Sequence, residues 1–134
     1  MQNSAARMLK LLSPGPNMHM RPVLCNLHWL PVRYRIHFKI LFLVFKSLHG
    51  KAPIYLSELL HVKHSENGLR SNENFELEVP SVQTLKTYGD RAFQVAAPKL
   101  WNHLPLDLKS CDSVNSFKTG LKTYLFKLAY GDII

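Results

Sequence analysis

At 134 residues, 46% of them apolar and 19% charged, the chain has the makeup of a single globular domain or a fragment of one, which excludes a disordered polar tail. The net charge of +8 is unevenly spread: residues 1–51 hold eight Lys or Arg and no Asp or Glu, whereas residues 52–134 hold nine of each sign. This asymmetry points to an anionic partner for the first part, or to its neutralisation from within by Glu58, Glu66, Glu73, Glu76 and Glu78.

The hydrophobic pattern predicts a mostly α fold, a small helical bundle with one or two short strands. Gln2 to Leu12 reads as a first helix, with Ala5, Met8, Leu9 and Leu12 on one side. It holds only Arg7 and Lys10 before the Pro14-Gly15-Pro16 break, which weighs against a mitochondrial transit peptide. A turn-rich linker covers residues 13–22. A basic, aromatic helical core follows over residues 23–60, opening with a short apolar segment, Val23 to Pro31. Pro31 suits the first turn of the next helix, where its missing N–H costs nothing. That helix, about Val32 to His49, is the strongest element. Ile36, Ile40, Leu43, Val44 and Leu48 form one apolar stripe, and Phe38, Phe42 and Phe45 a second, so it is expected at the centre of the core. Gly50 is placed to end it in a left-handed cap. Pro53 opens a short helix to about Leu60.

Residues 61–74 are polar, contain Asn67-Gly68 and read as a loop. Residues 75–134 are expected to hold short strands and two helices. Phe75 to Val79 alternates apolar and acidic with a period of two, the pattern of a strand, and Val82 to Tyr88 is a second candidate. A helix then runs from about Asp90, as its N-cap, to Trp101, with Pro98 as a kink or end. Residues 102–112 connect to a last helix starting after Ser113. Its expected core stripe is Val114, Phe117, Leu121, Tyr124, Leu125 and Leu128, with Lys118, Lys122 and Lys127 away from it.

No enzyme active site is legible. Phosphoryl transfer needs carboxylates grouped to hold metal ions. Tyr88-Gly89-Asp90 is one residue short of the Tyr-x-Asp-Asp turn of polymerases, but Arg91 stands where the second carboxylate belongs. Asp90 is better explained as a helix cap. Glu76 and Glu78 share a strand face, where charges more often guard an edge than catalyse. His61 and His64 are three apart with no third ligand at fixed spacing, so no metal or other cofactor is expected. Cys25, near His28, has nothing in its local sequence to activate the thiol. With Cys111 it makes no disulfide framework, which suits an intracellular setting, nucleus or cytoplasm. The longest unbroken apolar run, Ile40 to Phe45, is far too short for a membrane span, so no membrane partner is expected.

The basic part interleaves cations with rings: Arg21, Trp29, Arg33, Tyr34, Arg35, Phe38, Lys39. Most of these rings recur at core spacing. They leave a cationic rim of Arg33, Arg35, Lys39, Lys46 and Lys51, with Arg21 before it, able to hold the phosphate backbone of RNA or DNA without sequence preference.

The string LHWLPVRYRIHFKILFLVFKSLHGKAPIYLSELL at 27–60 resembles a segment near the C-terminus of reverse transcriptases from non-LTR (LINE-type) retrotransposons. LKTYGDRAFQVAAPKLWNHLPLDLKS at 85–110 and SVNSFKTGLKTYLFKLAY at 113–130 resemble the following segments, and QNSAARML at 2–9 the preceding one. The resemblance covers almost the whole chain in order, and departs at Gln94, where the family often has a small residue. It implies a piece lying after the catalytic palm, since the Tyr/Phe-Ala-Asp-Asp turn and the endonuclease lie upstream of this region. The expected function is that of a non-catalytic remnant that binds nucleic acid near template RNA or target DNA. The alternative is an inert structural fragment of a truncated retroelement, or a protein-interaction module. Its partners are then the missing reverse transcriptase domains or a second copy of itself.

Overall fold

A computed structural model describes residues 4–6, 8, 20–63, 75–80 and 92–131. Residues 4–6 and 8 are helical (α1). They are followed by α2 (Met20–Asn26), α3 (Val32–Leu48), α4 (Ile54–Ser57), α5 (Phe93–Asn102), α6 (Leu106–Lys109) and α7 (Val114–Tyr130). The chain is mostly α, as the pattern predicts. The long α3 packs against α4, α5 and α7, and α6 packs against α7.

Aromatic side chains join these helices. Phe45 of α3 stacks on Phe117 of α7 with ring centroids 4.1 Å apart, and Trp101 of α5 meets the same Phe117 at 5.9 Å. All three are fully buried. Leu41, Val44, Leu121, Leu125 and Ala129 extend the core on either side.

Helix ends follow local chemistry. At the end of α3, Gly50 takes φ 64°; its N–H donates to the Ser47 carbonyl (3.2 Å) and the Lys51 N–H to the Lys46 carbonyl (2.8 Å). This pair of bonds is a Schellman motif, the left-handed cap that Gly50 predicts. The end of α2 repeats it with a non-glycine residue. His28 sits at φ 53°, its N–H donating to the Cys25 carbonyl (2.9 Å) and the Trp29 N–H to the Leu24 carbonyl (2.9 Å). Ser113 caps α7, its hydroxyl accepting from the backbone N–H of Asn115 and Ser116.

Several expectations are corrected. The linker stops short of residue 22, because α2 begins at Met20. Pro31 and Pro53 occupy N-cap positions, just outside the first helical turn. On α1 the buried residue is Ala6, while Ala5 and Met8 face solvent. On α3 the inward row is Leu41, Val44, Phe45 and the half-buried Tyr34, Phe38 and Leu48. Ile36 and Leu43 lie outside it, 54% and 36% exposed. Two apolar faces satisfy the same periodicity, and the face that meets the Phe117 ring takes the core. On α7 the buried row steps by four through Phe117, Leu121, Leu125 and Ala129, a ridge of the kind that fits a neighbouring helix, and Leu128 is left 52% exposed.

The cap of α5 falls on Ala92, whose side chain makes no cap bond, rather than on Asp90. Asp90 lies outside the described residues, as do the Val82 to Tyr88 strand, His64 and most of the 61–74 loop. Pro98 neither ends nor splits α5. The bond it forfeits belongs to the carbonyl of Gln94, whose side chain lies on the exposed side of the helix and takes no part in the core.

Phe75 to Val79 does not form a strand. It makes a single antiparallel bridge, Leu77 to Val62, and no strand is present among the described residues. Instead the side chain of Asn102 pairs with both backbone groups of Leu77, accepting from its N–H (2.9 Å) and donating to its carbonyl (2.8 Å). The Trp101 indole donates to the Phe75 carbonyl at 2.7 Å. A side-chain amide thus does what a neighbouring strand would do. The Trp101-Asn102 pair is thereby a structural clamp.

Candidate nucleic-acid interface

The cations of α3 fall on two sides of the helix. At about 100° per residue, Arg35, Lys39 and Lys46 lie on one stripe, while Arg33 lies about 160° round from Arg35. The expected rim is therefore not one surface. Lys46 rests over the Phe42 ring, 4.9 Å from its centroid, which holds the ammonium in place without neutralising it. Lys51 follows the Gly50 cap and is exposed. Arg21 is tied into the fold: its Nη2 donates to the Ala129 carbonyl at 2.7 Å, satisfying one of the last carbonyls of α7.

Arg35 and Lys39 instead come together with two residues off the core stripe of α7, Lys118 and Lys122. One pair from α3 and one from α7, each a helical turn apart, flank a cavity of about 600 Å³. Its remaining walls are His28, Trp29 and Phe38, above Leu30. Three of these four are rings. The local fold explains their presentation. The left-handed turn at His28 swings the chain out of α2, and the His28 ring packs edge-on against Phe126 at 5.5 Å. The Trp29 carbonyl accepts from the Tyr130 hydroxyl at 2.5 Å, fixing the backbone that carries the indole. Phe38 is steadied by stacking on Phe42, with centroids 6.0 Å apart.

The electrostatics of this site follow from composition. The helices α3 and α7 hold four and three Lys or Arg respectively and no Asp or Glu. Among the described residues no carboxylate lies within ion-pair distance of the four cations that line the cavity; among those residues Lys63 pairs instead with Glu76, at 3.6 Å, away from it. The idea that the acidic stretch folds back onto the basic part is thus not realised by Glu76, which pairs outside it. The clue to Lys118 and Lys122 was available: an acid-free amphipathic helix with Lys at i and i+4. What periodicity does not tell is which helix faces which.

Elsewhere, chemistry-bearing side chains serve the fold. Lys109 is buried and its Nζ donates to the Asn102 carbonyl at 3.2 Å, with burial pushing its pKa down against the opposing pull of Glu76. Burial pushes the Tyr130 hydroxyl up. Cys25 and Cys111 are free and half-buried, and the Cys111 thiol donates to the Asp107 carbonyl. Among the described residues no three His, Cys, Asp or Glu side chains group to hold a metal ion. No helix among them is long and apolar enough to cross a membrane.

No family model, curated protein or solved structure matches this chain.

Proposed function

We propose that this chain is a non-catalytic C-terminal piece of a non-LTR retrotransposon reverse transcriptase that binds the phosphate backbone of RNA or DNA without sequence preference. The observation that carries the reading is the pairing of Arg35 and Lys39 with Lys118 and Lys122 across two helices devoid of acidic residues. Four like charges held together repel one another, and a polyanion removes that repulsion while releasing its own counterions.

The test is fluorescence anisotropy of a labelled RNA hairpin and a DNA duplex at low and near-physiological salt. Affinity is expected to fall linearly on logarithmic axes. Each cation removed from the set Arg35, Lys39, Lys118 and Lys122 lowers the slope by roughly 0.9 on duplex DNA if it contacts a phosphate. Arg33→Ala, on the far side of α3, is expected to leave that slope unchanged. Absence of binding at low salt defeats the proposal.

A second reading, a protein-contact module, draws on Val32 and Ile36, which form an exposed apolar line beside Arg35 and Lys39. Sedimentation that shifts with concentration, and reverts in Ile36→Glu, is the result that favours it.

A further inference from the structure

The cavity between α3 and α7 is more than a cationic rim, and phosphate binding alone does not explain its walls. A site for backbone phosphate needs donors and charge on an open surface. This one is an open groove with room beyond that: about 600 Å³, inside the span of roughly 300–1,000 Å³ typical of sites that hold a small organic group. Its apolar lining is aromatic rather than aliphatic, with Trp29, Phe38 and His28 against the single aliphatic Leu30. Flat ring faces match a flat π-system, and the cations around them match the anion that a nucleotide carries on either side of its base. Trp29 and Phe38 are only half-buried although both pack against the core, so part of each ring remains accessible from the cavity.

Resting on the nucleic-acid reading above, we propose that this cavity takes one unpaired base of a single-stranded nucleic acid, stacked on Trp29 and Phe38. The phosphates flanking the base lie on Arg35 and Lys39 of one wall and on Lys118 and Lys122 of the other. A base inside a duplex is already stacked and paired and has no free face to offer. The module therefore distinguishes single strands from duplexes while remaining indifferent to sequence, since every base has a π-face.

The experiment uses the full chain and three labelled probes of equal length: oligothymidylate, a strand made wholly of abasic sites, and a duplex. Anisotropy is measured at low and at near-physiological salt, with tryptophan emission followed in parallel. The intact single strand is expected to bind about ten-fold more tightly than the abasic strand and the duplex, the loss that one stacked base brings. It is also expected to quench emission, a quench absent in Trp29→Phe. Phe38→Leu, which keeps the volume apolar but removes the ring, is expected to shrink the difference between intact and abasic strands; because Phe38 also packs on Phe42, its circular dichroism is compared with that of the parent. Equal binding of intact and abasic strands by the unsubstituted protein, with salt dependence retained, overturns the base site and leaves backbone binding standing. Displacement of the strand by polyglutamate at equal charge concentration also overturns it. Failure to bind any probe at low salt overturns both readings.

Discussion

Gly50 and His28 occupy equivalent positions at the ends of two helices, and only one of them is a glycine. A Cβ added at Gly50 meets nothing within 4 Å, so substitution there is penalised by backbone conformation alone. Gly50→Ala is expected to destabilise by about 1–2 kcal/mol in urea titration, with the m-value unchanged. His28 already bears a cost of this kind, and it lies beside the rings of the cavity rather than in an unremarkable turn. A second residue-scale effect involves protons. Burial, with a smaller push from Arg33, lowers the pKa of His37 from its ordinary 6.5. The unfolded chain then binds the extra proton first as pH falls. The contribution is intact above 6.5 and is lost as pH drops from there through the lower folded value. Thermal melts from pH 7 to pH 5 are expected to show a smaller decline in His37→Gln than in the parent.

Element pairs are set by how closely backbones approach. Gly120 lies in mid-α7, and a Cβ built there falls 2.6 Å from the Leu108 Cδ2 of α6. In an open helix, Gly→Ala gains about 1 kcal/mol. Here the methyl of Leu108 stands in the way, and Leu108 is itself buried in the core with little room to turn aside, so Gly120→Ala alone is expected to destabilise. In a Leu108→Ala background the same change is expected to stabilise by about 1 kcal/mol. A sign change across this double-mutant cycle in chemical denaturation checks the contact; additivity denies it. Elements also divide what was legible from what was not. The ends of α3 and α7 were readable because Gly50 and Ser113 carry local chemistry that needs no partner. The inner face of α3 was not, since Ile36 and Leu41 are equally apolar and only the tertiary partner chooses between them. Phe75 to Val79 reads as a strand by alternation, yet Asn102 takes the hydrogen bonds that a second strand would supply. Of the cavity, Arg35, Lys39, Trp29 and Phe38 were legible as a basic-aromatic run. Their meeting with Lys118 and Lys122 was not, because nothing local encodes a contact about eighty residues away.

For the molecule as a whole, Phe117 is the common contact of three helices, stacked on Phe45 and against Trp101. Phe117→Ala is expected to cost about 3–5 kcal/mol, a large share of the roughly 5–15 kcal/mol that holds an ordinary domain folded, and calorimetry is expected to show a melting temperature lowered by more than about 10 °C. The carboxyl end of α7 is tied to the start of the helical core by three bonds: Arg21 to the Ala129 carbonyl, Tyr34 to the Leu128 carbonyl and Tyr130 to the Trp29 carbonyl. These span 108, 94 and 101 residues of sequence. Chains emerge from the ribosome amino end first, at roughly 5–20 residues per second. A nascent chain that has released Arg35 and Lys39 must therefore wait several seconds for the helix bearing Lys118 and Lys122. Throughout that interval it displays an unneutralised basic helix with no cavity beside it. Translation order thus makes the complete pocket one of the last features to form, and a transcript read only as far as α6 yields the charge without the place to put a base.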